Sequence, residues 1–274
     1  MRAITAKKIT DTVAGLCLKA NLELRPDVRD ALRKAYRLET LSRAKQALKA
    51  ILDNAAVARK DKLAICQDTG MVCVYMEIGS GAVVQGDINK AVMLGIEKGY
   101  CKGYFRNSIV RDPLDRRSSG YAPGILHIDM AKGSRIRITA LPKGFGCENK
   151  SVLKMFNPTA DIKDIEDFVI WAVRNAGPDA CPPYVVGVGI GGTSDQACLL
   201  AKKALLRKIA PGRSSRLEKE ILAGINKLKI GPMGLGGKTT ALAVHIEKYP
   251  THIAGLPVAV NISCHATRSA TATI

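Results

Sequence analysis

Four of the eight cysteines stand in loop or turn contexts where a thiolate could take part in chemistry. Cys66 precedes Gln-Asp-Thr-Gly, Cys181 precedes Pro-Pro, Cys264 follows an apolar run, and Cys147 lies within Gly-Phe-Gly-Cys-Glu-Asn. Three thiolates from separate loops can hold three corners of a [4Fe–4S] cluster and leave one iron open as a Lewis acid. The candidates are far apart in sequence, so their spacing alone does not establish a cluster. The chain contains no C-x-x-C pair, which argues against zinc fingers and ribbons.

The other four cysteines are predicted to be buried apolar residues. Cys17 and Cys198 lie in helical patterns among apolar neighbours, and Cys73 and Cys101 are most simply assigned to the core. A chain of 274 residues without an export signal is expected to keep its cysteines reduced, which predicts a cytoplasmic location. No apolar run approaches the ~20 residues that a membrane-spanning helix needs.

Two glycine-rich segments resemble phosphate-binding loops without matching one. The run at 191–193, between a predicted strand and a predicted helix, has a geometry that could place an anion at a helix N-terminus. However, the first two glycines of the 187–192 run fall inside the strand, and Pro232 stands where a P-loop requires glycine. Tight turns and close approach between backbone segments explain many of these glycines, so a nucleotide-binding function is disfavoured. Carboxylate binding by exposed amides is compatible with both segments.

The positive charge is large and requires an explanation. The chain has 42 Lys and Arg against 24 Asp and Glu, a net charge of +18, which is compatible with nucleic acid, an anionic substrate or an acidic partner protein. The basic residues are spread through the chain, only 4% of residues are aromatic, and no nucleic-acid reader motif is present. A basic nucleic-acid-binding protein is therefore the less favoured alternative to an enzyme.

The sequence patterns predict an α/β fold of mixed α+β type. N-terminal helices are followed by mixed sheets with covering helices, and these elements must position the candidate residues. We expect one domain at 1–274, helical over about 1–60 and α/β over about 61–274, with an arrangement in two lobes left open. A long loop rich in Arg, Pro, Ser and Gly is predicted at 106–124, and such loops are often functional. Helices are predicted at 27–39, 40–60, 88–102, 161–175 and 194–209. Strands are predicted at 71–78, within 125–141, and at 184–190, 240–246 and 256–262.

Several motifs together resemble those of a single enzyme family. They are CQDTG at 66–70, CPP at 181–183, GPMGLGGKTT at 231–240 and THIAGLPVAVN at 251–261. With these motifs the chain resembles class I, iron–sulfur fumarate hydratases and the related tartrate dehydratases, and most closely the α subunit of the two-subunit form. The motifs occur in the family's order over nearly the whole chain.

The resemblance implies a [4Fe–4S] cluster held by Cys66, Cys181 and Cys264, with the fourth iron binding substrate. In the family, the Gln and Asp that follow the first cysteine contact substrate, which transfers to Gln67 and Asp68. Asp68 is the candidate acid/base group, with the alternative that it only orients another group.

The resemblance also implies roles for an arginine, a histidine and a backbone amide. Arg106 matches the family's active-site arginine, and its planar fork suits a substrate carboxylate. His252 matches the active-site histidine of the Thr-His-x-x-x-Leu-Pro motif, and Gly146 matches a glycine whose backbone contacts substrate. The segment departs from the family at Phe145 and Cys147, where many relatives have Gly and Ser or Ala. This departure weakens the transfer at Gly146 and leaves open whether Cys147 is merely a small residue near the cluster.

The implied reaction is the reversible hydration of fumarate to (S)-malate by an iron–sulfur hydro-lyase. Its rival within the enzyme class is the dehydration of L-tartrate to oxaloacetate. Single-chain relatives continue well past the position that matches Cys264, into a domain with further substrate-binding residues. We therefore expect a separate β subunit to complete the active site, with α2β2 as the family's assembly, a small dicarboxylate as substrate, and no nucleic-acid or membrane partner.

Overall fold

The structure, a computed structural model, describes residues 2–210 and 212–274. It has the predicted α/β class, and the elements of its first half are β1 (Arg2–Thr5), α1 (Ala6–Leu22), α2 (Pro26–Leu38), α3 (Ser42–Asp61), β2 (Met71–Gly79), β3 (Ala82–Gln85), α4 (Ile88–Lys102), β4 (Ile109–Val110), β5 (Ser119–Gly120), β6 (Ile125–Ala131) and β7 (Ile136–Lys143). Those of its second half are α5 (Phe145–Glu148), β8 (Val152–Phe156), α6 (Ile162–Ala176), β9 (Tyr184–Ile190), α7 (Ser194–Ala204), α8 (Arg216–Lys227), β10 (Ala241–Lys248), β11 (Leu256–Ser263) and β12 (Ala270–Thr273). Within the described residues, no helix is both long and apolar enough to cross a membrane.

The first of two structural units comprises the chain up to Arg25, Ala55–Phe145 and Arg268–Ile274. Its main sheet has the order β12-β7-β2-β6, with β2 parallel to β6 and antiparallel to β7. The apolar side chains of this sheet form one core with those of α1 and α4. Because β2 is buried along nearly its whole length, the loop that leads into it has a rigid base.

The second unit comprises Pro26–Asn54 and Gly146–Thr267. Its sheet has the order β10-β9-β11-β8, and α6, α7 and α8 contribute to its packing. The glycines inside β9 are explained by close packing, because a Cβ at Gly189 would lie 2.0 Å from the Ala197 carbonyl oxygen of α7. The structure therefore favours close backbone approach as the reason for these glycines.

Several sequence expectations need correction. The helix predicted at 194–209 ends at Ala204, and α8 and β8 were not predicted. Cys101 and Cys198, expected in the core, are exposed. On α7 the buried face is formed by the alanines at 197, 201 and 204, and Cys198 is one position off that face.

The burial predicted for two other cysteines is confirmed. All eight thiols are free of disulfides, and Cys17 and Cys73 are buried as predicted. Burial raises the pKa of the Cys17 thiol to about 12, as for an inert core residue.

A buried carboxylate ties α8 to β10 in the second unit. Glu218 is 3% exposed and accepts hydrogen bonds from Arg207 Nη1 at 2.7 Å, from the Ile246 amide at 2.8 Å and from the Ser215 amide at 2.7 Å. Burial alone raises the pKa of Glu218, but the backbone donors and the Arg207 guanidinium outweigh it and hold the pKa below its usual value of 4.5. The charged form is thus the one that the fold stabilises.

Glu218→Gln is expected to destabilise the second unit by about 2 kcal/mol at pH 7, because an amide nitrogen would face a hydrogen-bond donor in a buried site. Since the folded-state pKa is lowered, this stabilisation is present above the unfolded-state pKa and is lost as pH falls through the folded-state value. Urea titrations can be followed by the fluorescence of Trp171, the only tryptophan. The free energies of unfolding of wild type and Glu218→Gln should differ most at pH 7, and this difference should shrink as the pH falls to 3.

Glu220→Gln is the matched control, since Glu220 pairs with Arg216 on the exposed side of the same helix. Exposed pairs of this kind contribute only ~0.5 kcal/mol. Equal stability losses in the two variants at pH 7 would contradict the role of Glu218.

Candidate active site

The 66–70 loop, between α3 and β2 in the first unit, carries three of the predicted site residues. Cys66 and Asp68 are partly exposed, and Gln67 is exposed. The Cys66 thiol donates to Gln67 Oε1 at 3.4 Å, so these two side chains lie together. The loop ends at Gly70, whose φ of +72° and whose approach to the Lys143 carbonyl leave no room for a Cβ.

The Asp68 carboxylate is held at both oxygens by backbone amides. Its Oδ1 accepts from Gly70 N at 3.0 Å, and its Oδ2 accepts from Phe145 N at 2.7 Å. An ionised carboxylate has about four lone-pair positions, so each oxygen keeps capacity to accept a further proton or hydrogen bond. Asp68 is thus fixed in orientation while still able to act as a base.

Tyr100, on α4, connects the base of the Arg106 loop to the 66–70 loop. Its buried hydroxyl donates to the Thr69 carbonyl at 2.6 Å, and its ring packs edge-on against Phe105 at 5.3 Å. Arg106 follows Phe105 directly, is exposed, and makes no side-chain hydrogen bond or ion pair to any residue that the structure describes. The first unit therefore presents a fixed carboxylate and an available guanidinium from two loops joined through one tyrosine.

In the second unit, Cys181 stands in a strained turn after α6. Its φ of +55° lies in the left-handed region, which non-glycine residues adopt only when the surrounding structure imposes it. The amide of Cys181 donates to the Pro178 carbonyl at 3.0 Å, and its own carbonyl accepts from His265 N at 3.2 Å. Cys181 is partly exposed in this turn.

Cys264 follows β11 directly and lies beside the Cys181 turn. His265, the next residue, contacts the Cys181 carbonyl through both its amide and its ring Nδ1, the latter at 3.1 Å. The Cys264 carbonyl accepts from Thr267 Oγ1 at 2.9 Å, which closes the turn after the strand. The structure thus brings together Cys181 and Cys264, which are distant in sequence.

Gly146 and Cys147 lie on α5, next to the same turn. Gly146 is exposed, and a Cβ at this position would lie 4.0 Å from the Asp179 carbonyl oxygen. Cys147 is 6% exposed, and its thiol donates to the Ala180 carbonyl at 3.3 Å. Its burial and its hydrogen bond are those of a packing residue beside the Cys181 turn.

His252 lies on a separate exposed loop of the second unit, between β10 and β11. Its Nδ1 accepts from Ala254 N at 3.2 Å. In the neutral ring the proton is therefore on Nε2, which makes that nitrogen a hydrogen-bond donor. Thr251 secures the loop by donating to Gly192 O at 3.1 Å.

The donor chemistry of the three predicted cysteine ligands fits an iron–sulfur cluster. Cys66, Cys181 and Cys264 are partly exposed, free of disulfides, and located in loops or turns outside the helices and strands. In the 66–70 loop, the buried Thr69 Oγ1 lacks a hydrogen-bond partner among the described residues. Within residues 2–210 and 212–274, no three His, Cys, Asp or Glu side chains converge as ligands of a single metal ion.

Sequence reasoning missed the polar residues that hold these loops. Arg268, Asn21 and Tyr100 are buried and bond to the 66–70 loop or to its neighbours. None of the three belongs to a recognisable motif. The one available signal was that each is a polar residue close to apolar neighbours in sequence.

Comparison with known proteins agrees with the motifs. Residues 10–273 match the family model described as fumarate hydratase (Fumerase). The chain is 42% identical over 276 residues to a protein of Methanocaldococcus jannaschii named putative L(+)-tartrate dehydratase subunit alpha, with 96% of each chain covered. It is 28% identical over 272 residues to the L(+)-tartrate dehydratase subunit alpha of Escherichia coli K12, covering 96% of this chain and 90% of that protein. The chain accordingly belongs to the fumarate hydratase (Fumerase) family and is a hydro-lyase.

Proposed function

We propose that this chain is the α subunit of a two-subunit iron–sulfur hydro-lyase that interconverts fumarate and (S)-malate. The observation that carries the proposal is the arrangement in the first unit, where Asp68 is fixed by two backbone amides and the available Arg106 is linked to the same loop through Tyr100. A carboxylate-binding cation and a fixed acid/base group on two linked loops suit a dicarboxylate that gains or loses a proton.

Cys66, Cys181 and Cys264 would hold a [4Fe–4S] cluster through their thiolates. When bound, such a cluster supplies one iron with an open position, which is a Lewis acid for carboxylate and hydroxyl oxygens. The chain's own residues then bind substrate: the Arg106 fork takes one carboxylate, the Gln67 amide and the Gly146 backbone amide contact substrate, and His252 donates from Nε2. These assignments rest on the motif positions together with the local contacts described above.

Asp68 is proposed to move the proton at the substrate carbon. In the direction of dehydration, one of its oxygens accepts the proton from the carbon next to the hydroxyl-bearing carbon. The electron pair of that C–H bond forms the double bond, the C–O bond breaks, and the departing hydroxide takes up a proton and leaves as water. In hydration the same oxygen returns the proton. The amides of Gly70 and Phe145 keep the carboxylate in one orientation throughout, which lowers the reorganisation that proton transfer requires.

A separate β subunit is proposed to complete the active site. Relatives similar to this chain are named as alpha subunits, and this chain covers 96% and 90% of two of them. We propose an α2β2 assembly in which neither subunit alone turns over substrate, within the cytoplasm.

Dehydration of L-tartrate is the second candidate. It is favoured by the names of the relatives from M. jannaschii and E. coli, the first named as a putative L(+)-tartrate dehydratase subunit alpha and the second as an L(+)-tartrate dehydratase subunit alpha. The same groups would serve this substrate, with one more hydroxyl to accommodate.

The two candidates are separated by kcat/KM for (S)-malate, fumarate and L-tartrate, measured anaerobically on the complex of this chain with its β subunit. We expect the values for malate and fumarate to exceed that for tartrate, and the isolated chain to be inactive. A higher value for tartrate would favour the second candidate, and turnover of none of the three would reject both.

A further inference from the structure

We propose that Arg268 is a positioning residue that fixes the 66–70 loop, and through it Asp68, for proton transfer. This inference rests on the proposed function for its catalytic consequence, whereas its structural part concerns the loop alone. Arg268 lies outside the motifs that carry the family resemblance, and every contact used below lies within the first unit.

Arg268 is a buried cation that bonds to the loop directly. Its side chain is 3% exposed, and its Nη2 donates to the Asp68 carbonyl oxygen at 2.7 Å. Its Nη1 donates to Asn21 Oδ1 at 3.1 Å. Both acceptors are neutral oxygens, so the two hydrogen bonds position the Asp68 backbone and the Asn21 side chain. The planar fork spans two acceptors in fixed geometry, which an ammonium group cannot reproduce.

Asn21 secures the backbone on the N-terminal side of Cys66. It is fully buried on α1, its Nδ2 donates to the Cys17 carbonyl at 3.0 Å, and its own carbonyl accepts from the Ile65 amide at 2.9 Å. Arg268 and Asn21 together therefore secure the backbone immediately before Cys66 and at Asp68. The short segment between these two points carries the proposed ligand Cys66 and the proposed substrate contact Gln67.

Gly144 shows how tightly Asp68 and Arg268 are packed. A Cβ placed on Gly144 would lie 3.0 Å from Asp68 Oδ2 and 3.7 Å from Arg268 Nη2. Asp68 is thus confined by Gly144 on one side, by the amides of Gly70 and Phe145 at its oxygens, and by Arg268 at its carbonyl. Removal of the guanidinium frees the peptide group that joins Asp68 to Thr69, so the backbone that carries the carboxylate gains freedom to shift although the Gly70 and Phe145 amides still bond to its oxygens.

The test uses Arg268→Gln and Arg268→Lys in the anaerobically loaded complex of this chain with its β subunit. We expect Arg268→Gln to lower kcat for malate dehydration by about 10²-fold, the effect of a small misplacement of a catalytic group, with KM changed much less because Arg106 still binds the carboxylate. Arg268→Lys should fall between wild type and Arg268→Gln, since it can restore one of the two hydrogen bonds. Iron and sulfide content should stay near the wild-type level in both variants.

Hydrogen exchange provides the readout that does not depend on turnover. Amide exchange at 65–70 should become faster in Arg268→Gln, while the strands β2 and β7 keep their wild-type protection. If the wild-type complex turns over neither malate nor tartrate, the proposed function fails, but the exchange measurement still decides whether Arg268 holds the loop.

Ile138→Val is the control for simple destabilisation, because Ile138 is fully buried in the middle of β7 in the same unit. It should lower the melting temperature without lowering kcat. Gly144→Ala is the second variant in case Arg268→Gln does not fold, and it should lower kcat by crowding the Asp68 carboxylate. A kcat within threefold of wild type in Arg268→Gln, or in Gly144→Ala where the former does not fold, would overturn the proposal. Unchanged exchange at 65–70 would overturn it equally.

Discussion

Cys66→Ser is expected to leave the chain folded but to remove both the iron–sulfur absorption and the hydro-lyase activity. A serine hydroxyl is a poor ligand for iron in place of a thiolate, because soft sulfur donors are what such clusters select. Cys66 lies on a loop that Asn21, Tyr100 and Arg268 secure independently of the thiol, so the substitution should not disturb the first unit. The measurements are the visible spectrum, iron and sulfide content, and malate dehydration by the complex with its β subunit.

Cys101→Ser is the matched control for this experiment. Cys101 is an exposed thiol at the end of α4 in the same unit, and the proposed site does not use it. Its variant should keep the wild-type spectrum and rate. A Cys66→Ser complex that retains a full complement of iron and sulfide would remove Cys66 from the ligand set.

Arg106→Ala is expected to lower kcat/KM for malate by about 10²–10³-fold, the range found when a single charged or hydrogen-bonding contact to the transition state is removed. The guanidinium of Arg106 is exposed and unpaired among the described residues, so its removal should not change stability. Arg106→Lys should recover part of the loss, because an ammonium attracts a carboxylate but cannot form the two parallel hydrogen bonds of a fork.

Arg111→Ala separates a specific contact from general electrostatic attraction. Arg111 is an exposed cation on the same 106–124 loop as Arg106. Arg111→Ala therefore lowers the net charge by one, as Arg106→Ala does. We expect its kcat/KM to stay within about twofold of wild type at physiological ionic strength, where exposed charges are screened. Equal losses in the two variants would show that the loop acts by overall charge and that Arg106 has no specific role.

Much of the fold could be predicted because its elements carry strong local patterns. The β-branched runs of β2, β9 and β11 and the amphipathic α4 and α6 lie within a few residues of their predicted positions. The exposed Cys101 and Cys198 were assigned wrongly because apolar neighbours in sequence do not show which face of a helix a residue occupies. The charged helix α8 was missed, although its capping box at Ser215 and Glu218 is a helix-start signal.

Candidate site residues could be predicted from the sequence only where they lie within a recognisable motif. The CQDTG and CPP motifs located Cys66, Asp68 and Cys181 without any statement about how they are held. Asn21 and Arg268 are at opposite ends of the chain, and their contact depends on how α1 and the C-terminal segment of the first unit pack together. No local pattern encodes such a contact, so the polar network behind the 66–70 loop emerges only from the structure.

The most direct test of the proposed iron–sulfur hydro-lyase is to remove and restore the iron. The complex of this chain with its β subunit would be stripped with an oxidant and a chelator, then reloaded anaerobically with ferrous iron and sulfide, and its rate of malate dehydration followed at each stage. We predict that the rate falls to background in the stripped complex and returns in proportion to the iron bound. A stripped complex, free of iron by metal analysis, that dehydrates malate at the rate of the loaded complex would contradict the proposed function.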